Sequence, residues 1–317
     1  MFLSTRAHLG ACGVDLFFII SGFIMAMIAN DVSWHRFLFD RVTRIYPPYW
    51  FYTSLVLAVF LLSPDMVNSS FGQAPSLWRS YLLIPDRIAP LLAVGWTLIH
   101  EMYFYLCFAF ILMLIGKFKF PLHTCLLLWA MVIIILNLLF HVIQNTHPVI
   151  AVLIHPLTFE FIGGAITGLI IRKGYQSLAL LIMAGGMLCA ITVFQLPDAC
   201  NIAVNLNWLH IFFIGTPCAL IVYGAVAMEL NGISIAPKWL VAIGDASYSI
   251  YLGHVLVLSA IGRLYAMLHC HNACTEVLFV IVCIGSANSV GLFSHHVIER
   301  KTLRYTRSKW MHFDPLQ

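Results

Sequence analysis

Uninterrupted apolar stretches of about 20 residues, the length that crosses a bilayer as a helix, recur along this chain from one end to the other. A water-soluble fold has no way to cover so many of them. Charged residues make up only 9% of the sequence, whereas soluble domains carry about 25%. The chain therefore reads as an all-α integral membrane protein, a polytopic bundle of about nine transmembrane helices. They fall near residues 13–30, 48–62, 95–116, 120–143, 149–171, 178–196, 208–230, 246–268 and 275–297. Residues 1–317 form one transmembrane domain with no repeat and no soluble insertion. The longest connection, 63–94, reads as an extracytoplasmic loop broken by Pro64, Pro75, Pro85 and Pro90. Within it, SLWRSYLLIP predicts a short interfacial helix anchored by Trp78 and Tyr81. Residues 299–317 read as a basic cytoplasmic tail.

Basic residues fix the orientation. One set of alternate loops holds Arg36, Arg41, Arg44, Lys117, Lys119, Arg172, Lys173, Lys238, Arg300, Lys301, Arg304, Arg307 and Lys309, thirteen in all. The other set holds three, Arg6, Arg79 and Arg87, and Arg263 lies inside a helix. The first side, with the C-terminus, is cytoplasmic. Orientation accounts for the net charge of +4, so no nucleic-acid partner is expected and membrane lipids are the surroundings. Nine helices with the C-terminus inside would put Met1 outside, yet residues 1–12 carry Arg6 and lack the pattern of a cleavable signal. One more helix ahead of Met1 would bring both termini inside, and the topology predicts it.

Most of the nine cysteines, including Cys107, Cys125, Cys189, Cys218 and Cys283, fall in apolar segments and read as small core residues. His269, Cys270, His271 and Cys274 share a short loop. Four ligand types in six residues suit a closed zinc site poorly, so the loop reads as ordinary polar chain with room for one disulfide, and no metal is expected.

Polar groups inside a membrane are costly and each needs a reason. GVDLFFIISGF puts Asp15 near the outer end of the first helix, and WTLIHEMYFYL puts His100 and Glu101 about 6–9 Å in from the outer end of theirs. Glu101 and Tyr105 share a face. A zinc-protease motif would need a second His where Phe104 stands. In GDASYSIYLGHVLVL, Ser247, Tyr251 and His254 form one polar stripe with Tyr248 beside it. Such a stripe serves either as helix–helix glue or as the lining of a reaction path. No Gly-x-Ser-x-Gly surrounds Ser247, so a hydrolase elbow has no support. FLFDRVTRIYPPYW aligns Arg41 and Arg44, and Pro47 and Pro48 are expected to stop that helix. Two guanidiniums pointing one way suit a phosphate-rich ligand; membrane orientation alone is the plainer account. Glu229 lies near a helix end and can snorkel, whereas Glu160 is expected to pair within the bundle. HHVIERKTLRY places Glu299 and Arg300 at the cytoplasmic interface.

Taken together, GVDLFFIISGFIM, DRVTRIYPPYW, GWTLIHEMYFYL, LTFEFIGGAITG, GTPCALIVYGAVAMEL, GDASYSIYLGHVLVL and HHVIERKTLRY resemble, in order, the acyltransferase family 3 proteins, in particular the branch that O-acetylates exopolysaccharide. The resemblance covers residues 13 to about 305. It implies a ten-helix inner-membrane enzyme that takes an acetyl or similar short acyl group from cytoplasmic acyl-CoA. The acceptor it implies is a sugar hydroxyl on a lipid-linked or extracytoplasmic polysaccharide. The family's Arg-x-x-Arg matches Arg41 and Arg44, and its helix-borne Glu matches Glu101. Its Ser-Tyr-x-x-Tyr-x-x-His matches Ser247, Tyr248, Tyr251 and His254, and its terminal Glu-Arg matches Glu299 and Arg300. The family's first helix carries an Arg and, eleven residues later, a His needed for transfer; His8 follows Arg6 by only two residues and is not that His. This again points to a helix upstream.

The expected site follows. Arg41, Arg44 and Glu299 bind the acetyl-CoA donor, while Glu101, Asp15, His254, Tyr248 and Tyr251 serve transfer, Glu101 engaging the acceptor from outside. Two other classes compete: a glycan-lipid transporter, against which no inverted repeat or paired broken helices are seen, and an inactive truncated remnant.

Overall fold

The computed structural model of the protein describes residues 12–67, 74–140, 147–195, 207–234, 236–267 and 272–313. These residues are helical or in short turns, and none forms a strand. The helices are α1 (Cys12–Ile28), α2 (Trp34–Leu62), α3 (Leu77–Leu82), α4 (Gly95–Phe118), α5 (Leu122–Phe140), α6 (Pro148–Leu153) and α7 (Thr158–Arg172). Then come α8 (Ala179–Phe194), α9 (Trp208–Leu230, with a π turn at Ile211–Gly215), α10 (Lys238–Asp245) and α11 (Ser247–Met267). Last are α12 (Ala273–Ser294), a π turn at His295–Glu299, and α13 (Arg300–Phe313). Seven spans among the described residues are long and apolar enough to cross a membrane, and α1 and α8 are shorter apolar helices. Their apolar outward side chains, such as Leu62, Leu138 and Phe293, are exposed on the protein and suit lipid tails rather than water. The chain is a multi-pass helical membrane protein.

One sequence expectation is corrected. Pro47 and Pro48 do not stop a helix; both lie inside α2, which begins at Trp34 rather than near residue 48. Proline's fixed φ is itself helical, and its cost is a lost N–H and a crowded carbonyl four residues back. In an apolar setting a continuous helix still satisfies most backbone groups, and a neighbour's side chain can supply what proline removes. The Tyr248 hydroxyl donates to the Ile45 carbonyl at 2.8 Å, beside the carbonyls of Thr43 and Arg44 that the prolines leave without helical donors. Arg41 and Arg44 thus sit one turn before a proline pair on one unbroken helix.

The chain divides into two compact units, Met1–Leu38 with His100–Ile235, and Phe39–Ile99 with Ala236–Gln317. In the first unit, α1 and α7 pack most intimately. Burying apolar area provides no drive between helices in lipid, so close association needs small residues that let backbones touch. Gly22 lies where a Cβ would stand 1.9 Å from the Phe161 carbonyl oxygen, and Gly164 where one would stand 1.9 Å from that of Ile19. The contacts Ile19–Gly164, Phe23–Gly168 and Ala26–Arg172 rise together along both helices, so α1 and α7 run parallel. The Arg172 guanidinium closes the far end by donating to the Ala26 carbonyl at 2.9 Å. Helices α8 and α9 meet in the same way, through Gly186 and Gly224.

In the second unit the connection after α2 is tied to that helix. The hydroxyls of Tyr49 and Tyr46 donate to the carbonyls of Ser80 and Leu82 at 2.6 and 3.0 Å, and the Trp50 indole donates to that of Tyr81 at 2.9 Å. The short helix expected in this loop is α3, with Trp78 exposed on it. Helix α11 packs against α12 through Gly291, at which a Cβ would lie 2.2 Å from the Ile250 side chain.

Candidate active site

The parallel register of α1 and α7 decides what surrounds Asp15. Glu160, Gly164 and Gly168 repeat every four residues along one face of α7. The glycines bring that face against α1, so Glu160 comes level with Asp15, each in the first turn of its helix. A third group comes from α9, where Asn207 caps the helix by accepting from the N–H groups of Leu209 and His210. His210 Nε2 lies 2.5 Å from Asp15 Oδ1 and 3.8 Å from Glu160 Oε1. The π turn that follows His210 precedes Pro217, whose ring would crowd the carbonyl of Phe213 in a regular helix. Gly215 in that turn leaves the space Glu160 occupies: a Cβ there would stand 3.1 Å from Glu160 Oε1. All three side chains are buried, with Ile19, Ile214, Cys218 and Val222 forming the apolar packing nearby.

Glu101 occupies a separate place in the same unit. It accepts a hydrogen bond from the Tyr105 hydroxyl one turn along α4, as the shared helix face requires. Because that proton is committed to Glu101, the Ser21 hydroxyl donates to Tyr105, at 3.3 Å. Ser21, Tyr105 and Glu101 form a buried relay ending at a carboxylate. His100 packs edge-on to His155, with ring centroids 4.8 Å apart, and also faces Phe18.

The remaining expected residues lie in the second unit. Tyr248 holds the Ile45 carbonyl, and the Tyr251 hydroxyl lies 2.6 Å from Thr97 Oγ1 and 3.3 Å from the Val94 carbonyl. His254 Nδ1 donates to the Tyr251 carbonyl at 2.6 Å. In a neutral ring that bond puts the proton on Nδ1 and leaves the lone pair on Nε2, as a base requires. Glu299 is buried, accepting from Ser249 Oγ at 2.6 Å and His295 Nδ1 at 3.0 Å. Arg41 is half-buried and Arg44 exposed on α2, and Ser247 is exposed at the start of α11. Among the expected residues the structure thus brings Asp15 to Glu160 at His210 and links His254 to Tyr251, while Glu101, Tyr248 and Glu299 have other partners. Of the His–Cys loop only Cys274 is described, as an exposed thiol; His269, Cys270 and His271 lie outside the described residues, as do Arg6 and His8.

His210 was missed from sequence. Its only signal was a polar residue at the entrance to an apolar helix, in NWLHIFFIG, which looks like any interfacial residue until α1 and α7 are placed beside it.

The sequence assigns the chain to a family of group-transfer enzymes. The acyltransferase 3 family profile, described as an acyltransferase domain, matches residues 2–289, and the chain belongs to that family. It is an acyltransferase. Among curated proteins it is similar to the exopolysaccharide production protein ExoZ of Rhizobium meliloti, at 31% identity over 95% of this chain and 92% of the relative. It is also similar to the acyltransferase MdmB of Streptomyces mycarofaciens, at 27% identity over 79% of this chain and 68% of the relative. No solved structure gives a significant match. The transporter alternative gains no support from these relatives.

Proposed function

We propose that this protein O-acylates a polysaccharide, moving an acetyl or similarly short acyl group from cytoplasmic acyl-CoA to a sugar hydroxyl on a lipid-linked or extracytoplasmic acceptor. Its place is the bacterial inner membrane, with the C-terminus in the cytoplasm. The observation that carries the acceptor class is the near full-length similarity to an exopolysaccharide production protein.

In the transfer step the sugar oxygen attacks the thioester carbonyl, the hydroxyl proton passes to a base, and the carbon–sulfur bond breaks to release the coenzyme thiol. Glu101 acts on the acceptor, as base or as the group that orients its hydroxyl, with Tyr105 and Ser21 holding the carboxylate in place. His254 Nε2 is the second proton acceptor, and Tyr248 and Tyr251 line the path. Arg41 and Arg44 grip phosphates of the donor, because guanidiniums pair with phosphate through two parallel hydrogen bonds. Glu299 supports the donor side through Ser249 and His295.

Arg41→Ala is expected to raise the KM for acetyl-CoA roughly tenfold or more, the size of one lost charge-assisted hydrogen bond, with kcat much less affected. Unchanged acetyl-CoA binding in that variant would remove the phosphate grip. The reaction itself is tested in cells by proton NMR of surface glycans with the gene intact and deleted. Loss of one O-acetyl signal on deletion is the expected result. Unaltered acetylation with all glycans present would defeat the proposal, and a missing or internally accumulated glycan would revive the transporter.

A further inference from the structure

Asp15, Glu160 and His210 offer one ligand atom each within 4.8 Å of one another, from the starts of three different helices. The bond between Asp15 and His210 accounts for one of the four carboxylate oxygens. The other three, Asp15 Oδ2 and both oxygens of Glu160, are buried and accept no hydrogen bond from the described residues, Glu160 Oε1 having only the longer 3.8 Å approach of His210 Nε2. Glu160 is 2% exposed and Asp15 1%, so no bulk water reaches them. Two carboxylates satisfy one another only while one of them keeps a proton; once both are ionised they accept and cannot donate, and a cation must take the proton's place. Helix N-termini lower the cost of their charge but bring no donor to these oxygens. A buried charge needs both a partner and filled lone pairs.

We propose that these three residues hold a divalent transition-metal ion, with zinc the best-suited probe. Two carboxylates cancel the ion's double charge, and one imidazole with two carboxylate oxygens is a donor set that zinc and manganese accept. On binding, His210 Nε2 gives up the proton it shares with Asp15 and coordinates through its lone pair. The ion ties α1, α7 and α9 together and leaves acyl transfer to the residues assigned above. This departs from the sequence reading, which expected no metal. A ligand set drawn from positions 15, 160 and 210 has no spacing signature.

The full chain, purified in detergent, is stripped with EDTA, desalted, reloaded with zinc and washed, and its metal is counted by inductively coupled plasma mass spectrometry. The expected result is about one ion per chain and a zinc-dependent rise in Tm. Glu160→Gln and His210→Gln, each checked for a monodisperse elution profile, should weaken zinc retention at least about tenfold and lose the Tm rise. No retention by the unaltered protein of zinc, or of manganese in a parallel loading, would overturn the proposal and leave a cluster completed by protons alone. Retention unchanged in both variants would overturn it too, assigning the ion to other ligands. Neither outcome depends on acyl transfer, so the functional reading stands or falls separately.

Discussion

Replacing Glu101 by Gln is expected to lower kcat roughly 10²- to 10⁴-fold, the range for losing a general base, while leaving acetyl-CoA binding unchanged. Glutamine keeps the side chain's length and still offers Tyr105 an oxygen to donate to, so the relay from Ser21 retains its geometry. What disappears is the negative charge and the ability to take a proton. A structural role would show up differently, as a lower Tm and reduced yield with little effect on turnover per folded molecule. Steady-state kinetics at varied acetyl-CoA and acceptor, combined with a thermal melt, separates the two. A variant that turns over within about twofold of the parent would take Glu101 out of the chemistry.

The second large effect comes from two adjacent glycines that the sequence does not distinguish. Gly163→Ala is expected to be neutral or to stabilise by up to about 1 kcal/mol, because alanine is the better helix former and nothing lies within 4 Å of a Cβ at this position. Gly164→Ala is expected to destabilise by about 3 kcal/mol or more, at the upper end for overpacking. Its Cβ would stand 1.9 Å from the Ile19 carbonyl oxygen and 2.9 Å from the Ile19 Cα, and backbone cannot step aside as a flexible side chain can. The displaced α1 would also carry Asp15 away from Glu160 and His210. Thermal unfolding of the two variants side by side, in the same detergent, tests this directly. Equal Tm values would mean that α1 and α7 do not meet backbone to backbone.

What was legible in the sequence follows from the solvent. A lipid environment demands long apolar segments with internally satisfied backbones, so the all-helical membrane class could be read without a structure. The Glu101–Tyr105 pair was legible as well, because residues four apart on a helix must meet. The ordered motifs pointed to the family that the profile match establishes.

Tertiary structure alone decided the rest. Proline's local rules argue for a break at Pro47–Pro48, yet α2 runs through them, since an apolar surrounding penalises an opened backbone more than two lost hydrogen bonds, and Tyr248 donates beside the gap. The sequence set Asp15 among the residues of transfer beside Glu101, and left Glu160 in need of a partner it could not name. Their meeting with His210 depends on how far α1 slides along α7, which is set by whichever glycines let two backbones touch. Local periodicity says which face of a helix is small or polar. It says nothing about which other helix that face meets, or at what height, and those two facts built the Asp15–Glu160–His210 cluster.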